Sequence, residues 1–284
     1  MKYDISKASR LGNRKSNQDR MGVVENRHAV LLVVADGLGG HAGGDLAAET
    51  VVDCAIRLFN SAAHPIQKPA LLINEIFLRA QRDVLSLANA RTPPIQARST
   101  CVVCIIQDGF ACWGHLGDSR LYVIRNQAVV TRTIDHSRVE NLFQQGLITE
   151  QEKSNHPDKN LITRCIGSEN HRPQPTISVP FPLERNDVIL LCSDGFWSPL
   201  PDQDLINGVQ KQNFNDVIED LTSDAEETSY PNSDNISVIG FRWLDVAPQS
   251  AVKQNPLQGA ARDADEVSKE VDAMLEKLQQ IVNK

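Results

Sequence analysis

The feature that most narrows what this chain can fold into is a series of short apolar runs, each bounded by turn residues. They fall at residues 28–35 (HAVLLVVA), 100–106 (TCVVCII), 110–115 (FACWGH), 121–125 (LYVIR), 187–192 (DVILLC) and 235–243 (NISVIGFRW). Runs of this length, rich in Val, Ile and Leu, read as strands. Helical patterns lie between them, at 45–59, 69–90, 203–211 and 214–226. Helices early and late around a strand-rich middle, with Gly-Asp-Ser turns between adjacent strands, predict mostly antiparallel sheets. The expected class is therefore an α+β sandwich rather than a doubly wound parallel sheet. No internal repeat is present.

With 284 residues, 41% of them hydrophobic, the chain can bury a full core without disulfide or metal staples. Its formal charge of −7 repels phosphodiester backbones and anionic membranes, so nucleic acid is excluded as a bulk partner and cations fit better. No run reaches the roughly 18–20 apolar residues of a membrane span, and residues 1–11 (MKYDISKASRL) lack the apolar centre of a secretory signal. A cytoplasmic protein is expected, with its six cysteines kept as thiols. Cys101 and Cys104 form a CxxC spacing inside a strand run, where side chains three apart point to opposite faces and cannot share a metal. They read as core fillers.

Composition changes after Trp243. Residues 245–261, including APQSAVKQNPLQGAA, read as a linker, and 262–284 as an amphipathic helix whose Val267, Val271, Met274, Leu278 and Ile281 follow a heptad seam. Such a helix either docks back on the domain before it or meets a partner or dimer helix.

Aspartates mark the ends of the strand runs. Asp36-Gly37 closes 28–35, Asp194-Gly195 follows 187–192 through Ser193, Asp234-Asn235 opens 235–243, and Gly117-Asp118 follows FACWGHL. Any one of them is an ordinary turn. If two sheets bring these ends to one edge, several carboxylates meet in a small volume and must either protonate or bind cations. Oxygen ligands without clustered His or Cys favour Mg²⁺ or Mn²⁺ over structural Zn²⁺. The glycine-rich stretch 37–44 also fits G-x-G-x-x-A, a dinucleotide fingerprint, but Asp36 would face the pyrophosphate and Asp53 lies in a helical pattern rather than at a strand end. No Gly-Lys-Ser/Thr makes it a Walker loop. The glycines then serve close backbone approach, leaving the Gly37 carbonyl free to ligate a metal beside Asp36.

Taken in order, the segments GNRKSNQD (12–19), VADGLGGH (34–41), Ser99-Thr100, GDSR (117–120), DHS (135–137), TRCIG (163–167), Ser193-Asp194-Gly195 and Asp234-Asn235 resemble the metal-dependent serine/threonine protein phosphatases of the PPM or type 2C family, compact bacterial members especially. The resemblance covers roughly residues 3–243. It implies a four-layer αββα sandwich of two antiparallel sheets flanked by helices, with a catalytic domain over 1–244 and a flap at about 138–162. The flap carries a helix-start signal at Thr149-x-x-Glu152.

The resemblance further implies that Asp36 bridges two Mn²⁺ or Mg²⁺ ions, with Gly37, Asp194 and Asp234 as further ligands. Asp19 acts through water, Asp118 holds a third, weaker ion, and Arg14 holds the substrate phosphate. The implied reaction is hydrolysis of phosphoserine and phosphothreonine in proteins by metal-activated water, reversing a Ser/Thr kinase. A catalytically silent phosphoprotein-binding module and a small phosphate-ester hydrolase are the alternatives. Leu38 stands where many relatives carry the His thought to protonate the leaving alkoxide. His41 either takes that part or is structural, with metal-bound water as the other acid. Arg98 stands where Gly is common. Cys192 lacks the Cys-x5-Arg loop of cysteine phosphatases and is not expected to act as a nucleophile.

Overall fold

A computed structural model describes residues 1–38, 40–169, 172–209 and 213–245, the side chains of 40–42 excepted. The chain separates into two units, Met1–Pro248 and Gln249–Lys284. The expected helix at 262–284 and nearly all of the expected linker lie outside the described residues.

In chain order the elements are β1 (Tyr3–Arg10), β2 (Asp19–Glu25), β3 (Ala29–Leu38), α1 (Gly40–Ser61), α2 (Pro69–Asn89), β4 (Arg98–Ser99), β5 (Cys101–Gln107), β6 (Phe110–Leu116), β7 (Arg120–Arg125) and β8 (Ala128–Arg132). There follow α3 (Arg138–Gln144), α4 (Glu150–Asn155), β9 (Thr176–Ile177), β10 (Phe181–Pro182), β11 (Val188–Cys192), α5 (Asp194–Trp197), α6 (Asp202–Gly208), α7 (Phe214–Ser229) and β12 (Ile236–Trp243). One sheet runs β1-β12-β11-β7-β8. The other runs β10-β6-β5-β3-β2, with β4 and β9 paired to β3 and β6. Every strand pairing among the described residues is antiparallel.

The uninterrupted apolar runs follow from this stacking. Along β3, Leu31, Val33 and Ala35 pack against α1 and α2, while Val30, Leu32 and Val34 face the other sheet. Along β11, Val188, Leu190 and Cys192 pack against α5, α6 and α7, while Ile189 and Leu191 meet the sheet that contains β3. Each central strand is buried on both faces, so period-2 alternation disappears from its sequence. Two sheets with a helical layer on each outer side give the four-layer αββα sandwich. Cys101 faces the α1–α2 side and Cys104 the gap between the sheets, as the strand period requires.

Strands β1, β2 and β8 have no counterpart among the apolar runs. All three are edge strands with one face partly exposed, and β1 (YDISKASR) is polar at five of its eight positions. An edge strand needs only one apolar face. Helix α1 begins at Gly40, inside the glycine-rich stretch, rather than at Asp45. The four-residue α5 opening at Asp194 was also not foreseen.

The segment expected as a flap leaves and re-enters the body at one place. Ser137 bridges Ile162, the Arg138 amide donates to the Leu161 carbonyl at 2.8 Å, and the Thr163 amide to the His136 carbonyl at 2.8 Å. Within it, α4 starts on the anticipated capping box of Thr149 and Glu152. The Lys153 ammonium, nearly buried, donates to Glu140 and ties α4 to α3. Among the described residues no helix is long and apolar enough to cross a membrane.

One polar contact fixes how β7 meets the approach to β11. Arg125 donates from Nε and Nη2 to both carboxylate oxygens of Asp187 at 2.7 Å, and from Nη2 to the Pro182 carbonyl at 3.0 Å. Asp187 is 0% exposed. Removing the guanidinium would strand a carboxylate away from water. Arg125→Met is therefore expected to cost about 3–5 kcal/mol in urea denaturation; a loss below about 1 kcal/mol would place the pair with exposed ion pairs instead.

Candidate metal and phosphate site

The antiparallel register places Asp19 of β2 directly across from Asp36 of β3. Asp36 lies where β3 leaves the sandwich, and its backbone is held on three sides. Its amide donates to Thr100 Oγ1 at 3.1 Å, and its carbonyl accepts from the Thr100 amide at 2.8 Å and from Ser99 Oγ at 3.0 Å. Asp194 starts α5 at the end of β11, Asp234 lies two residues before β12, and Asp118 sits in the β6–β7 turn. The two sheets thus deliver their strand ends to the same rim, as the aspartate pattern predicts.

A cavity of about 490 Å³ opens there, and Arg14, Asp36, Gly37, Asp118, Asp194 and Asp234 all line it. Asp19 lies behind the wall, 4% exposed. Its Oδ2 accepts from Ser193 Oγ at 2.7 Å, while Oδ1 has no hydrogen-bond partner. Asp118 Oδ1 is likewise buried without a partner. Arg14 donates from Nη2 to Asp234 Oδ2 at 2.6 Å.

The electrostatics follow from crowding. Burial, then the Asp194 and Asp234 charges, push Asp19 up to about 7, although the Ser193 hydrogen bond pulls it down. Burial and Asp234 raise Asp194 to about 6. Asp36 goes well above the usual carboxylate range, first by burial and then by Asp19, Asp194, Asp118 and Asp234. Asp118 rises well above it too, by burial, Asp194 and Asp135. Among the described residues no group of three or more His, Cys, Asp or Glu side chains is drawn in tightly enough to hold an ion as it stands. The acceptors are gathered but splayed, as expected of like charges with Arg14 on one of them.

The donor set nevertheless fits hard divalent cations. Two buried carboxylate oxygens lack a donor, four carboxylates face one cavity, and among the described residues no thiol or imidazole lines it. Gly37 fits its expected place: a Cβ there would lie 2.1 Å from the Gly44 carbonyl, so only glycine lets the strand end and α1 meet this closely.

The loop 11–18, which carries Arg14, is fastened by residues whose roles the sequence did not reveal. Asn235 Oδ1 accepts from the Gln18 amide at 2.8 Å and its Nδ2 donates to the Leu11 carbonyl at 2.9 Å, clamping both ends of the loop. Gly12, with φ of +58°, allows the loop to pass against the Asp234 carbonyl. Lys15 and Leu38 line the cavity, and Asn160 and Ile162 bring the returning end of the flap to it. Asn235, Ser193 and Thr100 belong to the recognised motifs, but a hydrogen bond between distant segments leaves no local sequence signal, so their clamping roles do not show there. His41 falls in the first turn of α1, and its side chain lies outside the described residues.

A larger groove, about 820 Å³, runs between α1 and α2 and is lined by Arg57, Arg79, Arg82 and Arg91. Arg57 and Arg82 share Asp83 and Arg79 holds Glu75, so it reads as a surface ion-pair network. Cys192 packs in the α5–α7 core, where burial pushes its thiol far up, against any nucleophilic part.

A family model for protein phosphatase 2C matches residues 8–236. The serine/threonine phosphatase stp of Listeria monocytogenes is 31% identical over 236 residues, spanning 80% of this chain and 90% of its own length. The solved structure of the serine/threonine phosphatase Stp1 of Staphylococcus aureus superposes with a TM-score of 0.79 at 26% identity, covering 86% of this chain and 96% of that one. The serine/threonine phosphatase of S. agalactiae superposes with a TM-score of 0.78 at 26% identity, over 86% of this chain and all of its own.

The raised carboxylates make the metal-free stability depend on pH in a defined direction. Unfolded aspartates release their protons near 3.8, whereas in the fold Asp194 holds its proton to about 6 and Asp19 to about 7. Across that window the folded chain binds more protons, so its stability falls as pH rises. In excess chelator, the wild-type melting temperature should drop by several degrees between pH 5 and pH 8 relative to Asp36→Asn, which relieves the crowding. Parallel profiles for the two proteins would contradict the electrostatic account.

Proposed function

Because the chain belongs to the protein phosphatase 2C family, we propose that it removes phosphate from phosphoserine and phosphothreonine in proteins, opposing a Ser/Thr kinase. The observation carrying this reading is the convergence of Asp36, Asp118, Asp194 and Asp234 with Arg14 on one open cavity. The names of the relatives favour protein dephosphorylation over a silent binding module or a small-ester hydrolase.

Asp36, the Gly37 carbonyl, Asp194 and Asp234 would hold two Mn²⁺ or Mg²⁺ ions, with Asp19 behind them and Asp118 serving a third, weaker position. Bound there, the cations supply Lewis acidity, lowering the pKa of coordinated water and drawing charge from phosphoryl oxygens. The remaining work falls to the chain. Asp36 is the residue best placed to serve both ions, since its position facing Asp19 puts it among the other four carboxylates and its backbone is fixed by Ser99 and Thr100.

Arg14 offers planar, paired donors to two phosphoryl oxygens, and Asp234 orients it meanwhile. Lys15 adds a second positive charge on the same wall. Asn235 keeps the loop bearing both in place. His41, in the first turn of α1, is the candidate to protonate the departing serine or threonine alkoxide, since Leu38 at the cavity wall has no proton to give. No covalent intermediate on the protein is required.

Hydrolysis of phosphoserine and phosphothreonine peptides with Mn²⁺ or Mg²⁺, abolished by chelator and restored by either ion, tests the reading directly; turnover that survives chelation overturns it. Asp36→Asn and Asp194→Asn should each lower turnover at least about 100-fold at saturating Mn²⁺ while circular dichroism stays native. Arg14→Ala should chiefly raise KM, because it removes phosphate binding common to ground and transition states. An unchanged KM would remove Arg14 from the phosphate site.

A further inference from the structure

The turn carrying Asp118 is held from several sides by residues with no assigned part in the chemistry. The Gly117 amide donates to His136 Nδ1 at 3.2 Å, and the His136 amide donates back to the Gly117 carbonyl at 2.9 Å. On the other side, the indole Nε1 of Trp197 donates to the Asp118 carbonyl at 3.0 Å. Trp197 is the last residue of α5, the four-residue helix that Asp194 opens. One side chain therefore ties together two segments whose carboxylates share the cavity and repel one another.

The indole is itself held in place. The Arg120 guanidinium carbon lies 3.3 Å from its ring centroid. Arg120 is fixed in turn by a two-pronged pair with Asp135, at 2.8 Å on each prong, and by Tyr122 OH at 2.8 Å. Arg120 and Asp135 are both nearly buried, so the guanidinium over the partly buried ring is held in one geometry. A ring wanted only for packing would need neither an N–H aimed at the Asp118 carbonyl nor a guanidinium locked over its face.

We propose that Trp197 is a positioning residue: its indole N–H holds the Asp118 turn against the Asp194 helix and thereby sets the affinity of the cation position to which Asp118 contributes. The proposal rests on the reading that these carboxylates bind divalent cations. It concerns cation affinity, and its readout is binding rather than turnover.

The test is isothermal titration of Mn²⁺ into the full chain, as wild type, Trp197→Phe, Asp118→Asn and the double variant. Phe keeps the ring and its stack with Arg120 but removes the N–H. Trp197→Phe should weaken the Asp118-dependent binding event roughly three- to tenfold, the worth of one hydrogen bond, and leave the tighter events unchanged. In the Asp118→Asn background it should have no further effect. Arg120→Lys, which keeps the charge but loses the planar stack, should weaken the same event.

A purely structural role would instead lower the melting temperature without selectivity among binding events, or give equal losses with and without Asp118. Either result overturns the proposal. Unchanged affinity in Trp197→Phe beside an intact Asp118-dependent event overturns it alone. If the wild type shows no Mn²⁺ binding that Asp118→Asn alters, the proposal and the third cation position fall together; if it shows no Mn²⁺ binding at all, the cation reading beneath them falls as well.

Discussion

Repulsion among Asp19, Asp36, Asp118, Asp194 and Asp234 is the constraint that the rest of the molecule answers. Charges brought together under partial burial shift their own pKa values and push on the segments that carry them. Left to itself, a rim of this kind would spread. What resists is a set of short hydrogen bonds from neutral groups: Thr100 and Ser99 on the Asp36 backbone, Ser193 on Asp19, Asn235 across the ends of the Arg14 loop, and Trp197 on Asp118. None of these donors adds charge, so the cavity keeps its demand for cations while its shape is fixed.

The sandwich makes such a rim available. Two antiparallel sheets stacked face to face bring strand ends from distant parts of the sequence to one edge, and each central strand is anchored by apolar contacts on both faces. Rigidity at the rim is inherited from burial along the strand. Asp36 closes a run in which Ala29 to Ala35 are fully buried, and Asp194 follows one in which Val188 to Cys192 are buried throughout. Asp36 and Asp194 thus stand at the ends of stretches of strand buried on both faces.

How much of this the sequence revealed depended on whether the signal was local. Central strands such as 28–35 and 187–192 are unbroken apolar runs, so they were legible, as were the aspartates at their ends and the Thr149–Glu152 cap. The edge strands β1, β2 and β8 escaped because one-sided burial leaves mixed polar sequences. The start of α1 escaped because five residues rich in glycine read as loop, yet tight packing of Gly37 against Gly44 demands that composition inside a helix. Asn235 and Ser193 stand within the recognised motifs and Trp197 just after one, but their work is done across intervals of many residues, and only the folded chain shows which carbonyl or carboxylate each one meets.

The bridge that joins the two ends of the segment 137–162 has a consequence for how the molecule can change over generations. Because Ser137 and Ile162 are bridged, the stretch between them behaves as a closed loop with its own small ion-paired core at Glu140 and Lys153. It can gain, lose or exchange residues without altering any strand register in the sandwich. Its returning end nonetheless contributes Asn160 and Ile162 to the cavity wall. Among the described residues, a change within this segment thus reaches the cavity wall only through these two positions.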